Sequence, residues 1–216
     1  MSGEDCKPKI GRPPVLSCEE RTCQILRAAE AVFVQHGYSG ATMDRIACAA
    51  GMSKRTLYQH FDDKLSVLAA LLKAYNAGPL MESLNDPDPP GTPREILHRS
   101  ITGIAHFVLG PEQTALTRLA VSEATATPEV ARLFYQNAMG GPIAAFARRL
   151  GRMAERGQIR CDDPDRLGVH LIGATLNRQL FRLLTHPGAP PPSAEELESH
   201  VVAVLALVGP ALGLAE

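Results

Sequence analysis

Ala41-Thr42-Met43-Asp44-Arg45-Ile46-Ala47-Cys48-Ala49-Ala50-Gly51-Met52-Ser53-Lys54-Arg55-Thr56-Leu57-Tyr58-Gln59-His60 reads as two short helices joined at a glycine. Thr42 suits an N-cap, and Ile46, Ala47 and Ala50 form one apolar face behind it. Gly51 stands where a tight turn needs positive φ. Ser53 caps a second helix, expected over Lys54 to about His60. Leu57 and Phe61, four residues apart, fall on its inner face. Lys54, Arg55, Tyr58 and His60 then point outward. An outer face so rich in donors does little for packing, but it suits a major groove. There Arg and Lys donate to guanine edges, and Thr and Tyr reach phosphates. The pattern is a helix-turn-helix.

Working outward, Ser17 followed by Glu20 makes a capping box, and Ile25, Ala28, Ala29, Val32 and Phe33 recur at helical spacing up to Gly37. A fourth helix is expected from near Asp62 to about Ala77, carrying Leu65, Leu68, Leu71 and Leu72. Residues 78–93 are rich in proline and read as a loop and a domain boundary. Further helices are expected at about 94–109, 112–125, 128–157, 164–185 and 194–213, the third of them kinked at Gly140-Gly141-Pro142. Ala, Leu, Arg and Glu are plentiful, Trp is absent and alternating β-branched runs are scarce. The fold class is all-α: a flexible basic arm at 1–16, an N-terminal three-helix helix-turn-helix domain at 17–62 and a second helical domain at 63–216.

Net charge is -1 over 216 residues, so the whole chain does not advertise a nucleic-acid partner. The distribution says more: residues 7–60 carry eight basic and four acidic side chains, and the remainder is acidic. No apolar run reaches the roughly 20 residues of a membrane helix. The five cysteines are an odd number without a C-x-x-C, so reduced thiols in a cytoplasmic protein are expected. Cys48, flanked by alanines, is expected in the core. Cys161, beside Arg160 on a loop, is the one thiol suited to redox sensing. No His, Cys, Asp and Glu spacing makes a metal signature, no cofactor motif is present, and no nucleophile stands beside a base. An enzyme is therefore not expected. A ligand-binding or adaptor protein of the same fold without DNA binding is the remaining rival.

The run Ala41 to Ala47, then Ala50 to Tyr58, then Phe61-Asp62-Asp63-Lys64 resembles the DNA-binding domain of the TetR family of transcriptional regulators. The Thr-Leu-Tyr and Phe-x-x-Lys at fixed offset carry the resemblance. It implies an all-α homodimer on a palindromic double-stranded operator, with 63–216 as the helical ligand-binding and dimerisation domain, repressing until a small-molecule effector binds. Carried over by position, Lys54, Arg55 and Tyr58 match groove-facing positions, and Thr42, Thr56, His60 and Lys64 match phosphate contacts. Ser53 joins them at the start of the reading helix. Asp44 stands where some relatives are basic and would repel phosphate, so it falls outside the contact set. Lys9, Gly11 and Arg12 resemble basic arms that enter a minor groove.

The stretch 116–163, with Arg118 to Ala124, Pro128 to Ala131 and Gly157 to Arg160, resembles the C-terminal domain of the family's AefR-like branch. This implies an effector cavity among the middle helices and a dimer made by the last two. Polar or aromatic residues inside apolar helices are the effector candidates: His98, His106, Phe107, Glu123, Phe134, Asn137 and Asn177. The last two helices are apolar almost all round, so both faces need cover. Leu171, Ala174, Leu197, Val201, Val204 and Leu205 are the expected interface residues.

Overall fold

Each helix signal is realised in order in the computed structural model, which describes residues 17–186 and 188–214. Lys9 and Arg12, with the rest of the 1–16 arm, lie outside the described residues. Helix α1 spans Cys18–Gly40, and its capping box is formed: the Ser17 hydroxyl accepts from Glu20 N–H at 3.1 Å, and the Glu20 carboxylate accepts from Ser17 N–H at 2.7 Å. The helix bends out of register at Gly37, where φ is +68°. Helix α2 covers Met43–Ala49 behind Thr42, and α3 covers Lys54–Tyr58 behind Ser53. Between them Gly51 takes φ +62°. Helix α4 spans Lys64–Tyr75 and is capped by Asp63, one residue later than expected.

Beyond α4 the expected loop contains a short helix, α5, at Pro79–Asn85. Proline at its first position costs no hydrogen bond, and Leu84 on its inner side is fully buried. Helix α6 is Pro93–Leu109 and α7 is Pro111–Glu123. The long stretch expected at 128–157 divides into α8 at Pro128–Phe134, a π-helical turn at Tyr135–Met139, and α9 at Gly140–Glu155. The break falls directly before Gly140-Gly141-Pro142, where the kink is expected, and a Cβ on Gly141 would come within 2.9 Å of the Asn76 side chain. Helices α10 at Pro164–Thr185 and α11 at Ala194–Leu212 complete the chain. No strand occurs among the described residues.

Two cores result. The first joins Ile25, Phe33, Ile46 and Leu57 to Val67, Leu68 and Leu72 of α4, and to Leu116, Leu119, Val130 and Phe134 of α7 and α8. The reading head therefore shares its core with three helices placed beyond residue 62. The second is built from α5, α6, α9, α10 and α11 around Leu97, Ile101, Ile104, Phe146 and Leu150. Three arginines of α9 fasten α5 beneath it. Arg149, itself buried, donates to Ser83 O and to Asp86 O, Arg152 donates to Leu84 O, and Arg148 donates to Asn85 Oδ1. Cationic donors at C-terminal carbonyls satisfy groups that the helix leaves unpaired.

Several expectations change in this frame. Cys48 is exposed, because α2 turns only Met43, Ile46 and Ala47 inward. Cys161 is half-buried against the second core, and burial pushes its thiol up, away from the thiolate that redox sensing requires. Leu171, Leu197, Val201, Val204 and Leu205 are buried within the chain itself, and only Ala174 of the six expected interface residues faces outward. The helices satisfy their own core first. The apolar side chains left outside are Val169, Phe181, Val202 and Leu207.

Candidate nucleic-acid interface

Helix α3 has five residues, too few to persist alone in water. Three local devices hold it. The Ser53 hydroxyl accepts from Thr56 N–H at 3.1 Å. Leu57 is fully buried in the first core, and Phe61 packs against it. The Gly51 turn sets the helix against α2, whose start is fixed by Thr42 accepting from Arg45 N–H at 3.2 Å. So Thr42, Ser53 and Thr56 occupy the edge of the surface with hydroxyls already committed to capping. The Ser53 and Thr56 hydroxyls also bond each other at 2.8 Å.

Lys54, Arg55 and Tyr58 are exposed together on the outer side of α3. The Arg55 side chain has no ion-pair or hydrogen-bond partner among the described residues. Lys54 does: its Nζ lies 2.7 Å from Asp44 Oδ1 and 5.9 Å from the centroid of the Tyr58 ring. The bond to Asp44, and then its charge, raise the Lys54 pKa, so the ammonium stays charged throughout the neutral range. Asp44, set aside on the grounds of phosphate repulsion, thus sits in the middle of this surface.

Two of the expected phosphate contacts are drawn inward. His60 is half-buried, with Nδ1 3.5 Å from the Thr22 hydroxyl of α1. The Lys64 ammonium donates to Tyr38 O at 2.8 Å and Ala41 O at 3.3 Å, and lies 4.3 Å from the centroid of the Tyr38 ring. It neutralises the carbonyl end of α1 and fixes the turn that leads into α2.

The other side of that turn is held by α7. Glu123 is buried, and its carboxylate accepts from Ser39 N–H at 3.1 Å, the Ser39 hydroxyl at 2.9 Å and the Thr127 hydroxyl at 3.2 Å. Burial pushes the Glu123 carboxyl up, but those three hydrogen bonds and the Lys64 charge outweigh it and hold the group below its ordinary range. The turn 37–41 is therefore gripped between the helix that follows the reading helix and a helix beyond residue 110.

The remaining effector candidates do not converge. His98 lies in a cleft of about 330 Å³ between α6 and α11, lined by Arg94, Glu95, Arg99, Glu198 and Val202. Its Nε2 is 3.0 Å from Glu198 Oε1, an ion-pair distance without hydrogen-bond alignment. His106 and Asn177 are exposed, and Phe134 is spent in the first core. Phe107 meets Tyr75 edge to face at 6.3 Å. Asn137, in the π turn, accepts from the Asn76 amide through its backbone carbonyl. The Asn76 Oδ1 atom is buried and unpartnered. Tyr75 and Asn76, at the end of α4, were missed in the sequence because each looks like an ordinary end-of-helix residue. Among the described residues no group of three or more His, Cys, Asp or Glu could hold a metal ion.

Comparison with known proteins agrees with this geometry. Residues 25–71 match the family described as bacterial regulatory proteins, tetR family, and residues 95–208 match the AefR-like transcriptional repressor, C-terminal domain. The transcriptional activator FasR of Mycolicibacterium smegmatis is 51% identical over 57 residues, a match spanning 26% of either chain. An uncharacterized helix-turn-helix transcriptional regulator of Mycobacterium bovis is 30% identical over 153 residues, covering 69% of this chain and 75% of its own. The crystal structure of a TetR-family regulator from Mesorhizobium loti superposes with a TM-score of 0.78 at 25% identity, covering 90% of this chain and 98% of that one. With both halves matched and the reading helix built as described, the chain belongs to the TetR family of bacterial regulatory proteins and is a DNA-binding transcriptional regulator.

Proposed function

We propose that the protein is a homodimeric repressor of a palindromic operator, released when a small molecule binds the helical domain. The observation that carries this reading is the outer face of α3. Ser53, Lys54, Arg55, Thr56 and Tyr58 stand on it while Leu57 alone is buried, so the helix is anchored from behind and offers its donors outward. Arg55 and Lys54 read base edges and Thr42 and Thr56 meet the flanking phosphates, while His60 and Lys64, drawn inward, brace the head that carries these contacts. Lys9 and Arg12 add contacts from the arm.

One head covers only half an operator, and two heads must sit about 34 Å apart. A second copy docking on α10 and α11 supplies the other. Phe181 is 68% exposed and Leu207 83% exposed, apolar groups that a soluble chain buries by pairing. Repression rather than activation follows the AefR-like description of the C-terminal half.

The effector site is proposed where α4 ends against α6 and the π turn, with Phe107, Tyr75 and Asn137 around it. The unpartnered Asn76 Oδ1 there is an acceptor awaiting a donor. His98, His106, Glu123, Phe134 and Asn177 stand apart from it, and Glu123 acts instead as the link to the turn 37–41. A ligand that moves α4 or α7 alters the spacing of the heads, and a differential affinity of about 3 kcal/mol suffices to change occupancy. No helix among the described residues is long and apolar enough to cross a membrane. A cytoplasmic location is part of this proposal.

The test is a mobility shift with DNA from upstream of the protein's own coding sequence, beside a shuffled duplex of equal length. Retardation of the first at concentrations that leave the second free supports operator binding. Equal weak affinity for both overturns it.

A further inference from the structure

Asp44 and Lys54 come from different helices of the head and meet across the turn at 2.7 Å, with side chains 65% and 59% exposed. An ion pair this open adds little to stability. Its placement matters instead, because Lys54 opens the reading helix and Asp44 lies in the first turn of α2. The Tyr58 ring, 5.9 Å away, flanks the ammonium. The pair joins the two helices that a DNA duplex would meet.

A free ammonium at that place would bind any phosphate and so strengthen contact with every sequence equally. Held by Asp44, it is locally neutral, and a carboxylate stands beside it that phosphate repels. Sequence-independent contact therefore gains nothing from Lys54. Base edges are a different partner. After bonding Asp44 the ammonium retains N–H donors, and the carboxylate retains a free oxygen. In the major groove a G·C pair shows the guanine O6 and N7 acceptors beside the cytosine N4 donor. The pair matches that pattern: lysine toward guanine, aspartate toward cytosine.

We infer that Asp44 is a specificity-determining residue, which withholds Lys54 from phosphates and presents it, with its own carboxylate, to one G·C pair in each half-site. The inference rests on the DNA-binding assignment and goes beyond it by naming what is read and by which residue.

Two measurements test it on the full chain: fluorescence anisotropy with a random-sequence duplex across a range of NaCl concentrations, and enrichment of duplexes from a random pool. Asp44→Asn should tighten binding to the random duplex several-fold at low salt and steepen its log–log salt slope by about 0.9, the increment for one added phosphate contact. Duplexes enriched by D44N should lose one G·C preference per half-site that the wild type shows. The double variant D44N/K54M, locally neutral like the wild-type pair, should return the random-duplex slope to the wild-type value. D44E, whose carboxylate still reaches, should restore the wild-type slope. Both positions are exposed, and circular dichroism checks that the variants fold. An unchanged slope and unchanged base preference in D44N would overturn the inference, as would a slope increment that survives in D44N/K54M. Failure of the wild type to enrich any sequence would instead overturn operator reading as such.

Discussion

Gly51 occupies the left-handed region with open space around its Cα, so a side chain there meets no neighbour and the whole cost is backbone strain. Gly51→Ala should lower stability by about 1 kcal/mol, read as a fall in midpoint on thermal denaturation. Leu57 differs, because it is fully buried under the reading helix. Leu57→Ala should cost about 3 kcal/mol and weaken binding to all duplexes together, since it loosens the helix without touching a base contact. At this scale much could be read from the sequence. Ser17, Thr42, Ser53 and Gly51 act within three or four residues of themselves, so local spacing reveals them. Lys64 could not be read in the same way. Its partners, Tyr38 O and Ala41 O, are more than twenty residues away, and only the folded head brings them to the ammonium. The pairing of Asp44 with Lys54 is hidden for a related reason, since it forms between two helices and only the folded turn brings the groups together.

Among elements, the turn 37–41 is held on one side by α4 and on the other by α7. Glu123 contributes the α7 side, and its carboxyl is held below the ordinary range in the folded chain. The sign follows: the stabilisation is fully present above the unfolded carboxyl value, about 4.3, and fades as pH falls through the lower folded value. Glu123→Gln should lower the thermal midpoint near neutral pH, and the gap to wild type should close as the solution is acidified below that value. A gap independent of pH would show that the charge plays no part. Helix α5 and the π turn escaped the sequence reading for physical reasons. Prolines at 79, 87, 89, 90 and 93 signal a loop, yet Pro79 sits where a helix tolerates it, and the α9 arginines supply the missing C-terminal partners. The π turn at Tyr135–Met139 lies directly before the kink that Gly140-Gly141-Pro142 signals, but no glycine or proline marks its start at Tyr135.

For the molecule as a whole, the proposed pairing through α10 and α11 makes a direct demand. Phe181→Asp together with Leu207→Asp should halve the molar mass seen by light scattering and weaken operator binding by about a hundredfold or more, because each head then binds without the effective concentration its twin provides. Retention of the dimer would overturn the assignment of this face. The sequence marks these helices as apolar almost all round, and the single chain leaves Phe181 and Leu207 outside. It could not say which side faces inward, because Leu171, Val201 and Leu205 are as apolar as Phe181 and Leu207, and only packing against α6 and α9 decides. The first core has a consequence for how such regulators diversify. Because Leu116, Leu119, Val130 and Phe134 complete the hydrophobic interior of the head, the head is not an interchangeable module. A chimera that grafts residues 17–75 onto a relative's sensor inherits a foreign seam at these four positions. Specificity for DNA and specificity for effector are free to drift apart only where substitutions on either side of that seam keep its shape.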